Sequence, residues 1–161
     1  MVNPHISTIF SMVKIYSRKI KFFRKNNVFW IDGDRFRKKF SQDLGHSIND
    51  RKKNSRRIQN YCKKKEQKND VVLCSILSIF TSHQKKNRKI FNNYFQIYIK
   101  AKKEILQKRN DKKIYNITKN VVGKDIKFPK PYKSDMTIIN RFDKSFFLNI
   151  KKIIKKIYAG L

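Results

Sequence analysis

The sequence predicts a mainly α protein: a small helical core, built from an αα-hairpin plus N- and C-terminal amphipathic helices, with extended basic segments. Three observations predict it. Apolar residues recur at three- and four-residue steps towards both ends of the chain. Two apolar segments with a short polar connection occupy the middle. A run of Arg and Lys over residues 51–68 holds almost nothing to bury, so it reads as an arm presented by the helices. A length of 161 residues suits one domain with basic extensions.

The first helix is expected over residues 4–25. Asn3 is a suitable cap and Pro4 a suitable first residue. Ile6, Ile9, Phe10, Val13, Tyr16, Ile20 and Phe23 form its apolar stripe, with Lys14, Arg18, Lys19, Lys21 and Lys25 on the remaining surface and Arg24 at its end. Such an acid-poor, basic amphipath also reads as a mitochondrial targeting segment.

Residues 26–40 change period. Val28, Phe29, Trp30 and Ile31 are β-prone, and Asp32-Gly33 favours a two-residue turn, which makes a short β-hairpin near 28–37 one reading. The preferred reading is a short helix over residues 35–44, capped by Asp34 and closed by Gly45. Asp32 and Asp34 suit turn and cap chemistry better than metal ligation, because no further acids cluster near them.

Residues 46–69 are the basic segment, with Ile48, Ile58 and Tyr61 too sparse to fix a buried face. The segment suits either an exposed helix or an extended path along RNA. Residues 70–109 are the expected helical hairpin. Asp70 would cap a buried helix over residues 71–80, residues 83–89 would interrupt it, and Phe91, Tyr94, Phe95, Tyr98, Ala101, Ile105 and Leu106 would line the second helix. Residues 110–133, with Gly123, Pro129 and Pro131, read as an extended linker. The last helix, residues 134–160, carries Ile139, Phe142, Phe146, Ile150, Ile153 and Ile157 on one face and Lys151, Lys152, Lys155 and Lys156 on the other.

Charge dominates the functional reading. Forty-one Lys and Arg against eleven Asp and Glu give a net charge of +30, which points to a polyanionic partner. Thirteen Phe and seven Tyr argue against wholesale disorder. Cys62 and Cys74 form no C-x-x-C pair and His5, His46 and His83 are scattered, so no metal site is expected. The sequence contains no G-x-x-x-x-G-K-S/T run, no G-x-G-x-x-G and no G-x-S-x-G, so no enzyme, catalytic residue or cofactor is expected.

The resulting expectation is a structural RNA-binding protein of a mitochondrial or other organellar ribosome, with cytoplasm or nucleus as the alternative location. Its partners would be ribosomal RNA and neighbouring ribosomal proteins, with no small-molecule substrate and no membrane. RNA contacts are expected from Arg51, Lys52, Lys53, Arg56, Arg57, Lys63, Lys64 and Lys65, then from Arg18, Arg24, Arg35 and Arg37, with Tyr61 and Trp30 as stacking rings. Arginine leads because a planar guanidinium binds phosphate bidentately. The competing readings are a peripheral subunit of an organellar membrane complex on anionic lipid, through the C-terminal helix, and a DNA-binding nucleoid protein.

Overall fold

Val28–Asp32 is a strand, β1, and it lies parallel to a second strand, β2, Val71–Ser75. The computed structural model describes residues 27–69, 71–102, 104–105 and 119–142. The expected helix over residues 4–25 lies outside them, as do residues 143–160 of the last expected helix, whose described beginning is not helical because Met136–Ile139 is a strand. Between β1 and β2 run two helices, α1 (Gly33–Phe40) and α2 (Ile48–Glu66). Next come α3 (Thr81–Ile90), β3 (Ile97–Lys100) and β4 (Met136–Ile139), with β3 and β4 again parallel.

The fold is therefore α/β with parallel strands, and the mainly α expectation is wrong. The error is concentrated in residues 71–100. A short unbroken apolar run reads as strand or helix alike, because periodicity cannot tell the two apart. The β-branched pair Val71 and Val72 favours the strand. The run then leaves β2 at Ser75 and serves two cores in turn. Ile76 packs on the first, with Ile31, Phe36, Ile58 and Cys62. Leu77, Ile79 and Phe80 join the second, with Val122, Ile126 and Phe128.

The segment expected to interrupt the helices is itself helical. Residues of α3 are polar all round, and tertiary bonds hold it instead of an apolar stripe. Gln84, only 2% exposed, donates to the Ser78 carbonyl at 3.1 Å and accepts from the Tyr132 N–H at 2.6 Å. Asn87 accepts from Gln59 of α2 and donates to the Tyr94 hydroxyl at 3.3 Å. Where a second helix is expected, Ile97, Tyr98, Ile99 and Lys100 pair with Met136, Thr137, Ile138 and Ile139. Arg88 of α3 reaches both carboxylate oxygens of Asp135, and Asp135 accepts the Gln96 N–H at 2.6 Å. One carboxylate thus sets the starts of β3 and β4 together.

The hairpin reading of residues 28–37 is also absent. Asp32 ends a strand and caps α1, its side chain accepting the Arg35 N–H at 2.7 Å. The basic segment is a helix over Ile48–Glu66, capped by Ser47. Its sparse apolar residues suffice because Ile58 and Cys62 lie one turn apart on the face that meets β1 and β2.

Ile58 is 3% exposed at the centre of the first core. Ile58→Ala should lower unfolding free energy by about 2–5 kcal/mol. Urea titration measures it, and an unchanged midpoint would show that α2 does not pack on this sheet.

Candidate functional site

Parallel strands deliver their carboxyl ends to one edge, where the loops that follow them make a crevice. Here that edge carries Asp32 at the end of β1 and Ser75 at the end of β2, partners in register. Gly33 lets the two exits approach closely. A Cβ there would lie 2.9 Å from Ile76 Cγ2 and 3.2 Å from the Ser75 carbonyl oxygen. Asp32 is 4% exposed, and burial raises its pKa against the opposing pull of the Arg35 and Asp34 N–H groups and the Arg35 charge. Its Oδ2 is buried without a hydrogen-bond partner.

The crossover returns α2 to the same edge. Ser47 Oγ accepts the Asp50 N–H at 3.1 Å and donates to Asp50 Oδ2 at 2.8 Å, which fixes where the helix starts. Arg51 follows in the first turns. Its Nε donates to the His46 carbonyl at 3.0 Å and its Nη2 to the Asn120 carbonyl at 2.9 Å. Asn120 presents that carbonyl from the left-handed region, with φ 62°, a conformation that asparagine tolerates better than most residues. Arg37 of α1 donates through Nη2 to the carbonyls of Leu44 (3.3 Å) and Gly45.

These groups form one electrostatic cluster. Burial, then the Arg37 charge, lowers the Arg51 pKa, while Asp34 acts in the opposite sense. Burial lowers the His46 pKa, and Arg37 and Arg51 lower it further. Carbonyl partners orient both guanidinium groups without cancelling their charge. Asn54 is one turn along α2 from Arg51, and its Oδ1 is buried with no hydrogen-bond partner. Two oriented cations beside one carboxylate can hold a phosphate- or sulfate-like anion and place a hydroxyl against Asp34.

The structure gathers two of the residues singled out in the sequence, Arg37 and Arg51, and disperses the rest. Arg18 and Arg24 are outside the described residues. Arg35 lies 5.8 Å from the Trp30 ring centroid. Arg57 pairs with Asp43 at 2.6 Å. Lys63 bonds Glu66 and the Ile90 carbonyl, both at 2.7 Å. Lys65 stands over Phe29 at 4.5 Å, and Tyr61 packs with Phe29, Phe36 and Phe40. Lys53 and Lys64 are exposed, as are Lys52 and Arg56, whose charges act on His83. Sequence reasoning left out Asp34, His46 and Asn54 as participants. The available signal was Asp32-Gly33-Asp34 between a β-prone run and a helix, with Arg37 one turn on.

Comparison with known proteins decides the class. The family model described as adenylylsulphate kinase matches residues 10–139. The chain belongs to the adenylylsulphate kinase family. It is 32% identical over 139 residues to the cytidine diphosphoramidate kinase of Campylobacter jejuni, covering 81% of this chain and 79% of that one. It is 30% identical over 114 residues to the adenylyl-sulfate kinase of Clostridium acetobutylicum, covering 67% of this chain and 57% of the relative. The corresponding enzyme of Buchnera aphidicola is 32% identical over 108 residues, with 66% and 50% covered. The chain thus spans about half the length of these two adenylyl-sulfate kinases. The Mycobacterium tuberculosis APS kinase CysC, solved with AMPPNP and APS, has the same fold, with a TM-score of 0.73, 22% identity, and coverage of 90% of this chain and 88% of that one.

Family membership overturns the expectation of a non-enzymatic ribosomal protein. The expected partners, RNA and ribosomal proteins with no small-molecule substrate, fall with it, since the solved APS kinase holds two nucleotides. The physical reason for the error is that net charge reports attraction to anions in general.

His83 gives this family member a pH-dependent element beside the cluster. It is 7% exposed, its Nδ1 lies 2.8 Å from Ser55 Oγ, and burial, then Arg56, Lys52 and Lys86, lowers its pKa from the ordinary 6.5. The unfolded imidazole takes up a proton near 6.5 while the folded one resists. Its contribution to stability is therefore full above that pH and is lost as pH falls from there through the lower folded pKa. His83→Gln should shrink the drop in Tm between about pH 7.5 and about pH 5.5. Equal drops in both proteins would assign the loss to other groups.

Proposed function

We propose that this member of the adenylylsulphate kinase family transfers the terminal phosphoryl group of a nucleoside triphosphate to a hydroxyl of an acceptor nucleotide. The acceptor is one whose phosphate carries an appended sulfate or amide group. The observation that carries this reading is the placement of Arg37, Arg51 and Asp34 around the carboxyl ends of parallel strands. The names of the relatives support it, because adenylyl sulfate and cytidine diphosphoramidate are both nucleotides modified at phosphate. They differ in base, so the shared chemistry is the anion, which is what two oriented guanidinium groups recognise.

In this reading Arg37 and Arg51 bind the acceptor's phosphate-linked group, and Asn54 adds a polar contact from the next turn of α2. Holding the anion aligns the acceptor hydroxyl with the donor phosphate, which converts a bimolecular encounter into an oriented one. The hydroxyl oxygen forms a bond to the terminal phosphorus as the bond from that phosphorus to the leaving diphosphate oxygen breaks. Asp34 accepts the hydroxyl proton, the role a positioned carboxylate plays in phosphoryl transfer.

Arg51→Ala should raise the acceptor KM by about 10- to 100-fold, the value of a charged hydrogen bond, with little change in kcat. Asp34→Asn should lower kcat by about 10²–10⁴-fold with KM nearly kept. The assay follows ATP-dependent phosphorylation of adenylyl sulfate and of cytidine diphosphoramidate. An unchanged KM in Arg51→Ala, or no transfer to either acceptor by the wild-type chain, would overturn the reading.

A further inference from the structure

Between α1 and α2 lies a shallow depression, open to solvent, of about 350 Å³ lined by Phe36, Phe40, Arg57, Asn60, Tyr61 and Lys64. None of these side chains belongs to the acceptor cluster. Its wall is a triangle of rings in mutual contact, with centroids 5.0 Å apart for Phe36 and Phe40, 5.3 Å for Phe36 and Tyr61, and 5.4 Å for Phe40 and Tyr61. Phe40 remains 44% exposed, so the triangle is not fully spent on core packing. The surroundings are cationic: Lys39 stands 5.3 Å from the Phe40 ring and Lys65 5.3 Å from the Tyr61 ring. Among the described residues no carboxylate lines the depression itself, although Asp43 holds the lining residue Arg57.

We propose that this depression is a second binding site, for a nucleoside monophosphate. Phe40, the exposed ring of the three, offers apolar surface to a planar base. Asn60 supplies a donor and an acceptor for the base edge. Lys64 takes the phosphate, and Arg57 joins it only by leaving Asp43. A second copy of this chain is a poor occupant, because each copy carries +30 and the rim of the depression is itself basic.

The site has a route to the acceptor cluster. Arg57 binds both carboxylate oxygens of Asp43, at 2.6 and 2.7 Å, and the Phe40 carbonyl at 3.1 Å. Asp43 sits in the same turn as Leu44 and Gly45, whose carbonyls seat Arg37. A phosphate that draws Arg57 off Asp43 loosens that turn and with it the seat of Arg37. Occupancy should therefore raise the acceptor KM, a consequence that rests on Arg37 binding the acceptor.

The test is calorimetric titration of the full chain with adenosine 5′-monophosphate, in wild type, in Arg51→Ala and in the double variant Arg51→Ala/Lys64→Glu. Arg51→Ala weakens the acceptor cluster and should leave the event at this second site unchanged. Adding Lys64→Glu should weaken that event about tenfold or more, since it replaces an attraction by a repulsion. Phe40→Ser provides an independent variant at an exposed ring, with the same loss expected. Loss of all binding in Arg51→Ala, or binding indifferent to both variants of the depression, would overturn the site. Titration needs no turnover, so its outcome is separate from whether the chain is a kinase. In turnover assays the added monophosphate should raise the acceptor KM of wild type and not of Lys64→Glu. Binding with an unchanged KM in wild type would overturn the coupling.

Discussion

Two strands that run in the same direction cannot be joined by a tight turn, and most of this structure follows from that restriction. Once β1 and β2 pair in parallel, residues 33–70 must carry the chain back across the sheet. The chain does so with α1 and α2, which cover the β1–β2 pair with Phe36, Ile58 and Cys62. The return path also brings the start of α2 to the edge where β1 ends. Asp34 and Arg37, one turn apart on α1, meet Arg51 of α2 there. Core and cluster are thus two results of one crossover, and Gly33 marks the point where the exits from both strands come closest.

The legible part of the sequence was local. The break in period at residues 26–40 and the cap chemistry of Asp32 describe what that stretch can do alone, although the helix expected over 35–44 with Asp34 as its cap runs over Gly33–Phe40 with Asp32 as its cap. Pairing between distant stretches was hidden, because a short unbroken apolar run shows no alternation to mark it as a strand. Residues 71–80 therefore read as one helix, when they are a strand followed by a segment shared between two cores. The helix Thr81–Ile90 was hidden for the opposite reason. It has no apolar stripe, and what holds it is a set of bonds from Ser55, Gln59, Ser78 and Tyr132. The candidate site was half visible: Arg37 and Arg51 stood out by residue type, while their convergence with Asp34 needed the crossover.

The positive charge misled for a related reason. A count of cations does not say which of them are already occupied. Arg57 and Arg88 are held by Asp43 and Asp135, and Lys63 by Glu66. Lys65 and Arg35 lie over aromatic rings. Those that face solvent, such as Lys38, Lys39, Lys52 and Lys53, are the outer sides of amphipathic helices. The cations that carry the functional reading are instead held on backbone carbonyls, which fix direction and leave the charge to act.

Arg51 is seated by a carbonyl of its own neighbourhood and by that of Asn120, far along the chain. The parallel pair and its two helices can therefore form before the anion cluster is complete. During synthesis, the cluster's last oriented donor must wait for the segment containing Asn120 to emerge and adopt its left-handed turn. A chain that has buried its first core holds Arg51 by the His46 carbonyl alone until Asn120 arrives. The interval between the two is set by the time needed to extend the chain.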